Sequence, residues 1–108
     1  MLKHLKAILP GLELLTKLTV DERQQYIKVA KSKFIKQFID LLYNISTGRF
    51  SLTKRQVKEL KRFKVKLTTL FKSDLPIYKR RDILLNRLFF ARLVPIVTKI
   101  ILAYYETF

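Results

Sequence analysis

The sequence predicts an all-α protein, a single-domain bundle of four to five helices, on three observations. Apolar residues recur at three- and four-residue steps over most of the 108 residues, the period of one helix face. Only two Gly and three Pro interrupt a chain rich in Leu, Ile, Lys and Arg, a composition that favours helix over strand. Two Thr residues are each followed three positions later by Glu or Gln, the signature of a helix start. With 49% hydrophobic residues, the chain 1–108 suits one domain with a modest core and is too apolar for a disordered basic tail.

Taken in order, Met1–Leu9 reads as a short helix ended by Pro10-Gly11, with a second apolar patch at Leu12, Leu14, Leu15 and Leu18. Residues 1–18 either pack as a further helix or form a separate N-terminal arm that reaches for a partner. Thr19-Val20-Asp21-Glu22 is a capping box with two acids at the positive helix end. It starts a helix over 20–30 with Tyr26, Val29 and Ala30 inward. A helix over 33–46 follows, its apolar face made by Phe34, Ile35, Phe38, Ile39, Leu42 and Ile45. Gly48 stands where a left-handed residue closes a helix.

Ser51 or Thr53 starts the third long helix, 53–72, with Thr53 and Gln56 at capping-box spacing. Its apolar line is Val57, Leu60, Phe63, Leu67, Leu70 and Phe71. Arg55, Lys58, Arg62 and Lys66 form a basic line beside it, flanked by Lys54 and Lys61. Ser73-Asp74-Leu75-Pro76 ends that helix and caps the last one, 76–105, because Pro is tolerated in a first turn. Residues 84–108 form an apolar C-terminal helix. Its 18-residue core, Leu88–Tyr105, approaches the length of a membrane span. Arg92 and Lys99 lie within it, and each would cost roughly 2.5–3.5 kcal/mol at mid-bilayer. Pro95 would kink it or break it in two. A core helix with a narrow polar stripe is the leading reading, a membrane-surface helix the second, and a span the last.

Catalysis is not expected. There is no Cys, which removes thiolate chemistry, and the lone His4 near the terminus reads as a surface residue. No metal site and no cofactor follow from such a set. Asp21 and Glu22 are the one close acidic pair and are explained as helix-start residues. Two Gly cannot build a phosphate-cradling loop. No long apolar leader with a small-residue cleavage site opens the chain, so no secretory signal is expected.

Charge points instead to binding. The formal net charge is +15, and the stretch from Arg49 to Arg81 holds twelve Lys or Arg against only Glu59 and Asp74. Self-repulsion on that scale destabilises a small domain unless a polyanion relieves it. The expected partner is a nucleic acid held by its phosphate backbone, with duplex DNA favoured. Lys54, Arg55, Lys58, Lys61, Arg62, Lys66, Lys79, Arg80 and Arg81 are the expected phosphate contacts. Phe34, Phe38, Phe63 and Phe71 read as core, whereas Tyr43, Phe50 and Tyr78 flank the basic segments and could either pack or stack on bases.

The pattern over residues 16–87, two thirds of the chain, resembles small Lys-rich proteins of Polinton/Maverick elements and adintovirus-like DNA viruses. An apolar helix ending in Asn44-Ile45-Ser46-Thr47-Gly48 carries the resemblance, followed by Arg49-Phe50-Ser51-Leu52-Thr53 and Gln56. Lys58, Leu60 and Lys61, a basic helix to Leu70, and Lys79-Arg80-Arg81 leading into Ile83-Leu84 complete it. The resemblance implies a virion-associated protein, comparable with adenovirus core proteins that neutralise packaged DNA, and a location in the virion or host nucleus. Related proteins often carry a Gly-Gly, similar to a maturation cleavage site, where this chain has Leu85-Asn86-Arg87-Leu88. Two other readings stay open. One is a minor capsid or cement protein that meets capsid proteins or another copy of itself through 84–108. The other is a basic amphipathic protein acting at a membrane surface.

Overall fold

The structure, a computed structural model, describes residues 5–106. The expectations for His4 and for a helix beginning at Met1 fall outside that range. Seven helices and no strand form among the described residues: α1 (Leu5–Lys17), α2 (Val20–Val29), α3 (Ser32–Ser46), α4 (Lys54–Arg62), α5 (Lys64–Leu70), α6 (Ile77–Leu84) and α7 (Arg87–Glu106). The count exceeds four to five because each of the two longest expected helices is divided.

Pro10-Gly11 does not end α1, which runs through both residues. Pro10 removes one helical hydrogen bond on an exposed side. Gly11 is needed for close approach, since a Cβ there would overlap the Phe34 ring and stand 2.9 Å from the Tyr26 hydroxyl. Tertiary contact therefore holds a helix that local preference would break, and Ile8, Leu12 and Leu15 are buried by it.

The α2 start follows the sequence closely. Thr19 Oγ1 accepts from the Glu22 amide at 3.2 Å, and the Glu22 carboxylate accepts from the Thr19 amide at 2.9 Å. The Thr19 amide, with the Thr19 hydroxyl beside it, holds the Glu22 carboxyl below its ordinary 4.5. The inward residue of α2 is Ile27, not Val29, which is 77% exposed, while Tyr26 and Ala30 are half-buried. In α3 the expected face is buried, with Leu41 and Asn44 added to it. Gly48 has φ +86°. The Arg49 amide donates to the Asn44 carbonyl and the Gly48 amide to Ile45, the paired bonds of a Schellman closure.

The expected helix 53–72 breaks at Phe63, whose backbone leaves the helical region at φ −104°, ψ 16°. No Pro or Gly causes the break. The Phe63 ring meets Phe89 of α7 edge-on at 5.1 Å, and the turn it makes lets α5 bury Leu67 and Leu70. The expected helix 76–105 breaks at Leu85-Asn86. Asn86 Oδ1 accepts from the Phe89 amide at 3.0 Å and so caps α7. Pro76, rather than Ser73 or Asp74, holds the cap position of α6, with no side-chain cap. Pro95 neither breaks nor ends α7. The carbonyl it leaves unpaired belongs to Ala91, and both residues border an open cleft that water can reach.

Phe38 of α3 and Phe90 of α7 meet at the centre, ring centroids 5.8 Å apart. Phe89, Leu93, Val94, Val97, Ile100 and Ile101 of α7 join them, so the apolar side of α7 is the core of this chain. No helix among the described residues is long and apolar enough to cross a membrane. The helices form one globule of 34 × 27 × 26 Å. In it α4 is the most lightly attached, because it buries only Leu60 and has no extensive contact with another helix.

Candidate nucleic-acid interface

The nine residues expected to meet phosphate divide into two groups. Seven make no side-chain hydrogen bond or ion pair with any described residue, and two are committed to main-chain carbonyls. Both committed residues sit on α6 beside Lys79, and the other six unengaged cations sit on α4 and α5.

Lys54, Arg55, Lys58, Lys61 and Arg62 lie on α4 and are exposed. At 100° per residue they fall within an arc of about 120° around the helix axis. No acid shares that arc, because Glu59 turns past Arg55 toward α7, where both line a cleft. Leu60 anchors the opposite side in the core. The Thr53–Gln56 capping box fixes the start of this helix, with reciprocal contacts of 3.1 and 2.9 Å. The basic line does not continue onto α5 as one straight stripe. The turn at Phe63 rotates Lys66 into a half-buried position, although Lys64 of the same helix is exposed.

The second cluster, Lys79-Arg80-Arg81, is mostly structural. Arg81 Nη1 donates to the carbonyls of Ile27 at 2.8 Å, Ala30 at 2.5 Å and, more weakly, Lys28 at 3.3 Å. It thereby caps the C-terminal end of α2, where a cation is also favoured by the helix dipole. Arg80 Nη2 donates to the Lys72 carbonyl, and its Nε is buried with no hydrogen-bond partner among the described residues. Only Lys79 of the three points freely to solvent, next to the exposed Tyr78.

Among the stacking candidates, Phe50 is buried and meets Tyr104 at 5.2 Å. Tyr43 is half exposed but edge-on against Phe71 at 5.3 Å, which leaves Tyr78 as the open ring. Phe34, Phe63 and Phe71 are half-buried against the core and Phe38 is fully buried, as their helical spacing implies.

Sequence reasoning passed over two cations on α7. The sequence reads Arg92 and Lys99 as the narrow polar stripe of the C-terminal helix, seven residues apart on one face, and not as phosphate contacts. In the structure both are exposed and, with Arg55, line a cleft of about 510 Å³ between α4 and α7. Their seven-residue spacing places them on one face of a helix, but only the packing of α7 beside α4 brings that face to Arg55. Among the described residues there is no group of three or more His, Cys, Asp or Glu placed to hold a metal ion. Comparison of the chain with protein-family models, with curated proteins and with solved structures gives no match.

Proposed function

We propose that this protein binds nucleic acid through the phosphate backbone, without reading sequence, and that its natural ligand is double-stranded DNA. One observation carries the reading. Five cations with no side-chain partner among the described residues share one arc of α4, a helix whose one buried residue is Leu60. Lys61 and Arg62 suit the last turn of α4, but Lys54 and Arg55 oppose the dipole at its first turn. Lys54 and Lys58, like Lys58 and Arg62, are like-charged neighbours one turn apart, which weakens the helix that bears them. A phosphate track relieves that repulsion, and every neutralised phosphate releases counterions. The exposed side chains are long and lie on a convex helix, with Gln56 held in its capping box and Glu59 turned to the cleft, so contacts should position rather than specify. The resemblance to Lys-rich Polinton and adintovirus-like proteins supplies the setting, packaged DNA in a virus-like or mobile-element particle.

Fluorescence anisotropy with labelled duplexes of unrelated sequence tests the reading over roughly 50–300 mM salt. About six phosphate contacts give a log–log slope near −5, the same for every sequence. Reversal of Lys58, Arg62 and Lys66 to Glu should remove most of that affinity. Absence of binding at the lowest salt overturns the proposal and leaves the basic arc to an acidic protein or an anionic lipid surface.

A further inference from the structure

The cleft between α4 and α7 joins residues that are far apart in sequence. Arg55 comes from the first turn of α4, and Arg92 and Lys99 come from the middle of α7. The cleft volume of about 510 Å³ leaves room for a phosphodiester unit with its hydration. It also contains Glu59, one turn beyond Arg55, yet Glu59 forms no ion pair with any of the three cations. Three positive side chains and one carboxylate thus face one concave space, which keeps an excess of two positive charges.

The arginines of the chain make the contrast sharper. Arg23, Arg80 and Arg81 donate to main-chain carbonyls, and Arg87 pairs with Asp21 at 2.6 Å. Arg49, Arg55, Arg62 and Arg92 do none of these things with any described residue. Two of the four lie on α4, one precedes it in the chain, and the fourth faces it from α7. Guanidinium groups suit phosphate because their planar fork can hold two oxygens at once. Pro95 and the half-buried Ile96 stand between Arg92 and Lys99 and line the same cleft, so the wall between the two cations is apolar.

We propose that the α4–α7 cleft is a phosphate-binding site, in which Arg92 and Lys99 form a second wall opposite Arg55. This inference rests on the DNA-binding reading and deepens it: the nucleic acid backbone follows a two-helix channel rather than a single helix face. Free phosphate and polyphosphate share the recognising chemistry, and the experiment separates them from duplex DNA.

The test compares the full-length protein with R92Q/K99Q and K58Q/R62Q in the duplex salt series, each checked for an unchanged melting midpoint. Loss of two phosphate contacts should reduce the salt slope of R92Q/K99Q by about 1.8 and weaken binding at every sequence. The charge-preserving R92K/K99R should keep the wild-type slope. The chain has no Cys, so a single thiol placed at the cleft by Ile96→Cys reports occupancy directly. Duplex DNA should slow its reaction with a neutral maleimide, and pyrophosphate at equal phosphate concentration should do so weakly. A thiol at Val29→Cys, 77% exposed in the parent and outside the cleft, should react at the same rate with or without DNA.

Protection by pyrophosphate equal to that by DNA assigns the cleft to a small phosphate ligand and overturns the channel. Wild-type slope in R92Q/K99Q, without protection at position 96, overturns the cleft while K58Q/R62Q can still show α4 to be the DNA face. Failure of the wild-type protein to bind any duplex overturns the underlying reading itself.

Discussion

Helices α2 and α4 begin with the same device and use charge in opposite ways. Each opens on a Thr whose hydroxyl accepts the amide three residues on, while the side chain there reaches back to the Thr amide. In α2 the reciprocal partner is Glu22, and Asp21 adds a second acid to the first turn. Both complement the positive end of the helix dipole. The far end of α2 is capped by Arg81, Gln24 donates to the Leu85 carbonyl at 2.6 Å, and Asp21 meets Arg87. Polar groups on α2 therefore clasp it to the junction of α6 and α7. In α4 the reciprocal partner is the neutral Gln56, and the first turn carries Lys54 and Arg55, which the dipole disfavours. Among the described residues, none of its five cations makes a hydrogen bond or ion pair with another helix. Charge that satisfies the fold belongs to structure, and charge that opposes it is available for a ligand.

The largest expected effect is on the α2 side. Arg81→Ala should destabilise the protein by about 1.5–3 kcal/mol, because carbonyls at the end of α2 lose charged donors. Urea denaturation measures it, and the DNA salt slope should not change. A lost slope with full stability would move Arg81 into the phosphate interface.

Cap removal separates the two helices next. Thr19→Ala and Thr53→Ala should each cost about 1 kcal/mol of local helix stability. For α2 the loss should appear in global unfolding. For α4 it should appear as faster amide exchange over residues 54–60, with a smaller global change, because little apolar surface holds that helix down. Equal global losses would mean that α4 is as firmly built in as α2.

Lys54→Glu opposes the two roles directly. Placing an acid in the first turn of α4 should stabilise the helix by about 0.3–1 kcal/mol. The same change should reduce the magnitude of the DNA salt slope by about 0.9 for the lost contact. A rise in melting midpoint together with weaker binding is the expected pair of results, and weaker binding with a lower midpoint would contradict it.

The smallest effect is the pH dependence of Glu22. Its carboxyl titrates below the ordinary value in the folded protein, so its contribution is present above the unfolded value near 4.5 and is lost as pH falls through the lowered one. Glu22→Gln gives α2 the neutral box that α4 already has. Between pH 6 and pH 3 the wild-type midpoint should fall further than that of Glu22→Gln, and parallel curves would remove Glu22 from the account.

Local chemistry was legible in the chain. Both capping boxes, the closure at Gly48 and the apolar face of α3 need only neighbours within four residues, and all stand where their spacing puts them. The cap at Asn86 was equally local but hidden inside a continuous apolar run, where the hydrophobic period outweighed one polar residue. The basic arc of α4 was likewise readable, since five of its nine residues are cations. What the run Lys79-Arg80-Arg81 would do was not readable, because three adjacent bases look alike until α2 and the turn after α5 are placed beside them.

By itself, then, the sequence determined an all-helical bundle, most of its helix starts and the strongly basic character of residues 49–81. Those features depend on period, cap chemistry and net charge, which short stretches carry. Only the tertiary structure decided that α1 runs through Pro10-Gly11, that Phe63 turns one expected helix into two and that α7 lies in the core. It also decided which cations are left without partners. Each outcome depends on a neighbour distant in the chain: Phe34 and Tyr26 for Gly11, Phe89 for Phe63, the α2 carbonyls for Arg81, and Arg92 and Lys99 across the cleft from Arg55.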